Sequence, residues 1–248
     1  QRRTTLAETL MCRRKATNVM THTAKIRLGD ALSLIDELNE DIALLLTDPP
    51  YGMAFQSNRR IASAKRPKIK GDNTIEQAVS LLRAILDKTI PKMKPDSHTL
   101  IFTGWRYEPQ FRQAILDAGL NIKGSLVWIK HNHGAGDLRG SFAPRHERII
   151  HAVKGCPRIK KRLDDVFKEY ERPRSEHPTQ KPVPLLEKLI ATTTDEGDLV
   201  YDPFAGSGST LLAACNLNRD YYGTEIDPKW FEVAREAVRK KIIEKGQV

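Results

Sequence analysis

The chain has 248 residues, 40% hydrophobic and 29% charged, with 15 Gly and 14 Pro; that balance fits one α/β domain with a sizeable core and excludes collagen-like, coiled-coil and globally disordered classes. Lys and Arg number 41 against 31 Asp and Glu, a net charge of +10, which concentrates polyanions at the surface and makes nucleic acid the leading partner. No apolar run reaches the roughly 18–20 residues that span a bilayer, and no apolar stretch of a secretory signal accompanies the N-terminal arginines. Three scattered cysteines, Cys12, Cys156 and Cys215, form neither a disulfide framework nor a CxxC pair, so a reducing, cytoplasmic setting is expected.

Residues 1–24 carry Arg2, Arg3, Arg13, Arg14 and Lys15 without an apolar period and read as an N-terminal extension, leaving 25–248 as the domain. Apolar spacing then predicts a strand at 25–29, a helix at 30–38 and an apolar strand at 41–47 that runs into Asp48-Pro49-Pro50-Tyr51. A basic loop follows, then a helix over 75–90, a buried strand at 98–103, a helix at 108–118 and strands at 121–129 and 146–153. The span 131–176 has weak periodicity and mixed charge, and is expected to be an insertion around that last strand. Regular βα text resumes with a helix at 182–194, a strand at 198–202, a glycine turn, a helix at 209–217, a strand at 220–225 and a helix at 228–244.

Two turns carry the chemistry. In Asp202-Pro203-Phe204-Ala205-Gly206-Ser207-Gly208-Ser209 a hydrophobic strand passes through glycines into a helix, where absent Cβ atoms let a ligand approach the backbone and the helix start offers unpaired N–H groups. No Lys precedes Ser209 and Leu211 stands where a dinucleotide fingerprint needs its third Gly, so a phosphate is not the expected ligand. The next strand ends at Glu225, a carboxylate placed to accept ribose hydroxyls, and an adenosyl ligand without phosphates fits both facts. In Thr47-Asp48-Pro49-Pro50-Tyr51 two prolines fix φ and remove two donors, gathering a carboxylate, rigid carbonyls and an aromatic ring at one strand end. That set suits a planar base with an exocyclic amine, whose two N–H bonds need acceptors and whose face needs a ring. Each turn alone could be merely structural; both in one chain make that reading much weaker.

The ordered pair of turns resembles the S-adenosylmethionine-dependent DNA amino-methyltransferases, in the circularly permuted subgroup that carries its catalytic motif first. Gly29-Asp30-Ala31, Arg145-His146-Glu147-Arg148, His177-Pro178-Thr179-Gln180-Lys181-Pro182 and Glu225-Ile226-Asp227 extend the likeness over about 25–240. The resemblance implies a Rossmann-like α/β fold, a seven-stranded, mostly parallel sheet with helices on both faces, with 131–176 as an inserted target-recognition segment. It implies catalytic Asp48, Pro49, Pro50 and Tyr51. It places S-adenosylmethionine against Asp48, Asp202, Phe204, Gly206 and Gly208, with Glu225 on the ribose, Asp227 beside it, Asp30 and Ala31 at the adenine edge, and Thr179 and Lys181 closing over the methionine end. The expected reaction is methyl transfer to adenine N6 in double-stranded DNA by a DNA-associated prokaryotic or phage protein, within restriction-modification. Cytosine N4 is the alternative, as is a catalytically inert DNA-binding module that kept the fold, and a homodimer is left open.

Between 57 and 72, Arg59, Arg60, Lys65, Arg66, Lys68 and Lys70 follow the catalytic turn, a charge run whose position suggests phosphate contacts. Lys160 and Lys161, with Arg162, carry a weaker version of the same expectation. C5-cytosine chemistry needs a cysteine nucleophile, and Cys156-Pro157 has the wrong order in the wrong region. His131-Asn132-His133 has no carboxylate or cysteine at ligand spacing, so neither a metal nor a membrane is expected as a partner.

Overall fold

A computed structural model describes residues 24–39, 41–51, 74–131, 139–140, 142–168, 170 and 180–246. Eight strands form one sheet: β1 (Ala24–Leu28), β2 (Ile42–Thr47), β3 (Met93–Thr103), β4 (Asn121–Ile129), β5 (His146–Lys154), β6 (Val166–Phe167), β7 (Leu199–Asp202) and β8 (Asp220–Glu225). Their spatial order is β1-β8-β7-β2-β3-β5-β4-β6. The first five neighbours in that order are parallel, β5 is antiparallel to both β3 and β4, and β6 lies parallel to β4. The expected mostly parallel sheet is therefore present, with β6 as an additional eighth strand.

Six α-helices cover the faces: α1 (Ala31–Leu34), α2 (Ile75–Thr89), α3 (Glu108–Asp117), α4 (Val183–Thr193), α5 (Ser209–Asn216) and α6 (Pro228–Glu244). β2 is buried at every position, which is why it reads as an unbroken apolar run rather than an alternation. Along β3 the alternation shows instead in which core each residue joins. Leu100 and Phe102 face the cluster built with Leu185, Leu189 and Leu211, from α4 and α5, whereas Ile101 faces the one built with Leu82, Leu86 and Phe111, from α2 and α3. Local signals fix the helix starts: Thr74 caps α2 by accepting from Gln77 N at 3.3 Å, and Asp227 caps α6 by accepting from Lys229 N at 2.8 Å, with Pro228 as its first residue.

Several boundaries differ from the sequence reading. The helix expected at 30–38 is one α-turn followed by a 3-10 turn over Ile35–Glu37. β3 starts five residues earlier than expected, because a register shift between Ile42 and Leu44 lets Met93 pair with Ile42 ahead of the His98–Leu44 pairing. Within 131–176 the strand expected at 146–153 is β5, which sits inside the sheet between β3 and β4, and β6 extends the edge.

Candidate active site

The strand order reverses between β7 and β2, which run parallel: from β2 the sheet continues outward to β3, and from β7 to β8 and β1. In open α/β sheets such a switch point leaves a crevice at the C-terminal strand ends. The two predicted turns both emerge there. Thr47, the last residue of β2, donates its hydroxyl to Asp202 Oδ1 across the strand pair at 2.8 Å, and both residues are buried. One hydrogen bond thus joins the residue before Asp48 to the start of the glycine turn.

The glycine turn is held by short bonds. Phe204 N donates to Asp202 Oδ1 at 3.1 Å, Ala205 N to Thr224 O at 3.0 Å, and Thr224 Oγ1 to Pro203 O at 2.8 Å. Gly206 and Gly208 both take positive φ, +53° and +80°, where other residues are strained. A Cβ on Gly208 would also meet Ala234 of α6 at 2.7 Å, so this glycine lets α5 start directly beside α6. Glu225, at the end of β8, accepts from Gly206 N through one oxygen and from Asp227 N through the other, each at 2.8 Å. Burial raises its carboxyl above the ordinary value, against the pull of these N–H donors. Asp30 caps α1 through Leu32 N at 2.8 Å and lies next to this corner, since Gly29 N donates to Glu225 O at 2.8 Å. Ala31 is buried behind it.

At the other turn, Asp48 carries two bonds on separate oxygens: Tyr51 donates its phenol to Oδ1 and Lys181 its ammonium to Oδ2. Tyr51 stands edge-on to Phe111 of α3, with centroids 6.4 Å apart. Lys181 is only 7% exposed and lies 5.0 Å above the Phe102 ring. Its second carboxylate neighbour is Glu147 Oε2 at 3.2 Å, and Glu147 Oε1 in turn pairs with Lys130 at 2.5 Å. Burial raises the Asp48 carboxyl; Lys181 opposes that rise and Glu147 adds to it. For Glu147 burial also acts upward, but Lys181 and Lys130 outweigh it and bring the carboxyl down to about 2. Burial works against the Lys181 ammonium, and the two carboxylates outweigh it, raising its proton affinity. Among the described residues no cation faces Asp202: burial pushes its carboxyl up to about 6, with Thr210, Thr47 and the Phe204 N–H working the other way.

The structure therefore brings Asp48, Pro49, Pro50, Tyr51, Lys181, Asp202, Phe204, Gly206, Gly208 and Glu225 to one rim, with Asp30, Ala31 and Asp227 at its β1–β8 corner. Thr179, Arg59, Arg60, Lys65 and Arg66 lie outside the described residues. Lys160 and Lys161 are a correction. Antiparallel β5 carries the chain to the opposite rim, where Lys160 pairs with Asp195, after α4, and donates its backbone N–H to Thr192 O at 2.9 Å. The sequence reading assigned no role to Thr47, Lys130 or Glu147. Glu147 had a signal, because it occupies the same strand face as Ile149 and so is a charge on a core-facing position.

The residues present fit an adenosyl ligand. Beyond the Glu225 carboxylate and the glycine turn, Ser209 Oγ at the start of α5 is buried with no hydrogen-bond partner among the described residues, a polar atom that a ligand group can satisfy. Among the described residues no group of His, Cys, Asp and Glu is placed to hold a metal ion, and no helix is long and apolar enough to cross a membrane. The mostly parallel sheet thus sets the glycine turn and the Glu225 carboxylate on one side of its switch point and the Asp48-Pro49-Pro50-Tyr51 turn on the other.

Comparisons with known proteins give the class. The N6_N4_Mtase family, described as DNA methylase, matches residues 42–236. The type II methyltransferase M2.MboI of Moraxella bovis is 41% identical over 237 residues, covering 84% of each chain. M2.DpnII of Streptococcus pneumoniae is 27% identical over 222 residues, covering 79% of this chain and 82% of its own. Among solved structures, the M1.HpyAVI–SAM complex superposes with a TM-score of 0.68 at 25% identity, over 86% of this chain and 98% of that one. The cytosine-N4-specific PvuII DNA methyltransferase shares the fold, with a TM-score of 0.71 at 17% identity over 88% of this chain and 90% of its own. The chain belongs to the N6/N4 DNA methylase family, and S-adenosylmethionine is its cofactor.

Proposed function

We propose that the protein is a type II, restriction-modification methyltransferase that transfers a methyl group to the exocyclic N6 of adenine in duplex DNA, directly and in line, after flipping the base. The observation that carries this reading is the bond from Thr47 to Asp202, which holds the amine-accepting turn and the cofactor turn side by side. S-adenosylmethionine supplies an electrophilic sulfonium methyl when bound. Asp48 and the Pro49 carbonyl accept the two N–H bonds of the base, which localises the nitrogen lone pair that ring conjugation otherwise spreads, and points it at the methyl. Each Asp48 oxygen has two lone pairs, so the bonds from Tyr51 and Lys181 leave room for the amine. Tyr51, braced by Phe111, offers its face to the flipped base, and stacking there offsets part of the few kcal/mol that unpairing costs. Glu225 holds the ribose, Asp30, Ala31 and Asp227 the adenosine end, and Thr179 and Lys181 the methionine end. Arg59, Arg60, Lys65 and Arg66 bind phosphates flanking the flipped base, and the stretches of 131–176 outside β5 and β6 read the sequence.

Asp48 favours adenine over cytosine, because cytosine-N4 enzymes of this kind more often carry Ser at that position. The test is methylation of unmodified duplex DNA with labelled S-adenosylmethionine, followed by digestion to nucleosides and mass spectrometry. N6-methyladenine is expected. N4-methylcytosine alone overturns the choice of base, and absence of transfer to any duplex leaves an inert binding module.

A further inference from the structure

Glu147 and Lys130 are the two buried or half-buried charges beside the site that the reaction above does not use. They sit at the connecting end of the β4–β5 hairpin, where Lys130 N donates to Arg145 O at 2.8 Å and Arg145 Nε returns a 2.8 Å bond to Lys130 O. The hairpin thereby presents a carboxylate, with its own counter-ion, to the Lys181 ammonium. The two carboxylates around Lys181 are not equivalent. Asp48 is the nearer acceptor and takes a hydrogen bond from it, whereas buried Glu147 Oε2 stands farther off, as an ion-pair partner at 3.2 Å. An ammonium has three donors and can turn from one acceptor to the other with little movement of its stem.

We propose that Glu147 is a positioning residue for methyl transfer: it shares the Lys181 ammonium, taking it up when the target amine arrives at Asp48, and Lys130 keeps it charged for that task. Without such a second seat, a buried ammonium facing one carboxylate stays on it, and competes with the weakly polar N–H bonds of a neutral base. With it, Lys181 neutralises the buried Asp48 yet loosens its hold on Oδ2, so that the remaining lone pair there accepts the amine more strongly. The four charges Asp48, Glu147, Lys181 and Lys130 sum to zero, so the exchange moves no net charge into the core. The groups facing Asp48 from packed elements are Tyr51 from its own turn, Lys181 ahead of α4, Glu147 and Lys130 behind it on the hairpin, and Asp202 at the end of β7. The inference rests on the reading that Asp48 accepts the amine as a carboxylate.

The experiment measures single-turnover methyl transfer from enzyme preloaded with S-adenosylmethionine to unmethylated plasmid DNA across pH, for wild type, Glu147→Gln, Lys130→Gln and Asp48→Ala. Glu147→Gln keeps shape and removes the second seat; the plateau rate should fall about tenfold, the range of coupling between neighbouring charged groups, at unchanged cofactor affinity. Its acid limb should move to lower pH, since Lys181 then answers to Asp48 alone. Lys130→Gln lets Glu147 draw Lys181 more strongly and should move the acid limb to higher pH. Lys130 is partly exposed, so this variant remains informative should the Gln replacement at 147 disturb folding. Opposite shifts together with the fall in plateau rate support the proposal; opposite shifts at an unchanged plateau are the Coulomb field of fixed charges alone and overturn it. Unchanged plateau and limb in both variants, or shifts of the same sign, overturn it. An active Asp48→Ala overturns the underlying reading instead, so the two failures are told apart.

Discussion

Asp48 and Asp202 end adjacent parallel strands, are linked through Thr47, and are handled by the protein in opposite ways. Asp48 lies against a cation, with Lys181 on one oxygen and Tyr51 on the other. Among the described residues Asp202 is met by neutral donors, Thr47, Thr210 and the Phe204 N–H. Burial raises both, yet for different uses. A carboxylate that must accept a neutral amine needs a counter-charge that can step aside, whereas one that shapes a backbone turn needs donors fixed in place. Two aspartates from similar Asp-Pro text are thus sorted by their third-party neighbours, not by their own strand ends.

The comparison breaks most visibly at the cation. Lys181→Met leaves Asp48 and Glu147 buried and facing each other, and should cost about 3–5 kcal/mol in urea unfolding. The loss should shrink on acidification, because an unpaired Asp48 takes up a proton more readily. A loss that ignores pH would mean the pair is not the cause. Next is Asp48→Ala, which should lower the transfer rate by about 10²–10³-fold or more at intact circular dichroism, as removal of a preorganised polar group does. Near wild-type turnover would remove Asp48 from the reaction.

Asp202 sharpens the contrast from the other side. A carboxyl raised to about 6 from 3.8 binds its proton more tightly in the folded state, so its share of stability is fully present below about pH 4 and is lost as pH rises through 6. The difference is on the order of 3 kcal/mol. Asp202→Asn should therefore flatten the thermal-midpoint profile of the cofactor-free protein between pH 4 and 6, and match or exceed wild type at pH 8. A lower midpoint at pH 8 would show that ionised Asp202 is favourable in the fold. The smallest effect belongs to Glu225→Ala, which removes an acceptor for ribose hydroxyls and should weaken S-adenosylmethionine binding by about tenfold in calorimetry, while leaving Asp48 untouched. Unchanged affinity would remove Glu225 from the cofactor.

Much of this was legible in the chain itself, because its signals are local. The apolar run of β2, the glycines with positive φ after β7 and the carboxylate ending β8 each depend on residues within one turn of each other. Helix α6 and strands β4 and β8 fall where spacing puts them. What only the tertiary structure decided is long-range. The strand β5 was expected, but its place between β3 and β4 and its antiparallel direction were not, and they carry Lys160 to the far rim. Lys181 meets Asp48 across 133 residues of chain, and Glu147 meets Lys181 only because β5 lies beside β3. Charge on a single residue is written in its type, but the energy of that charge is set by burial and by what stands within a few ångströms, and no periodicity along the chain encodes that distance.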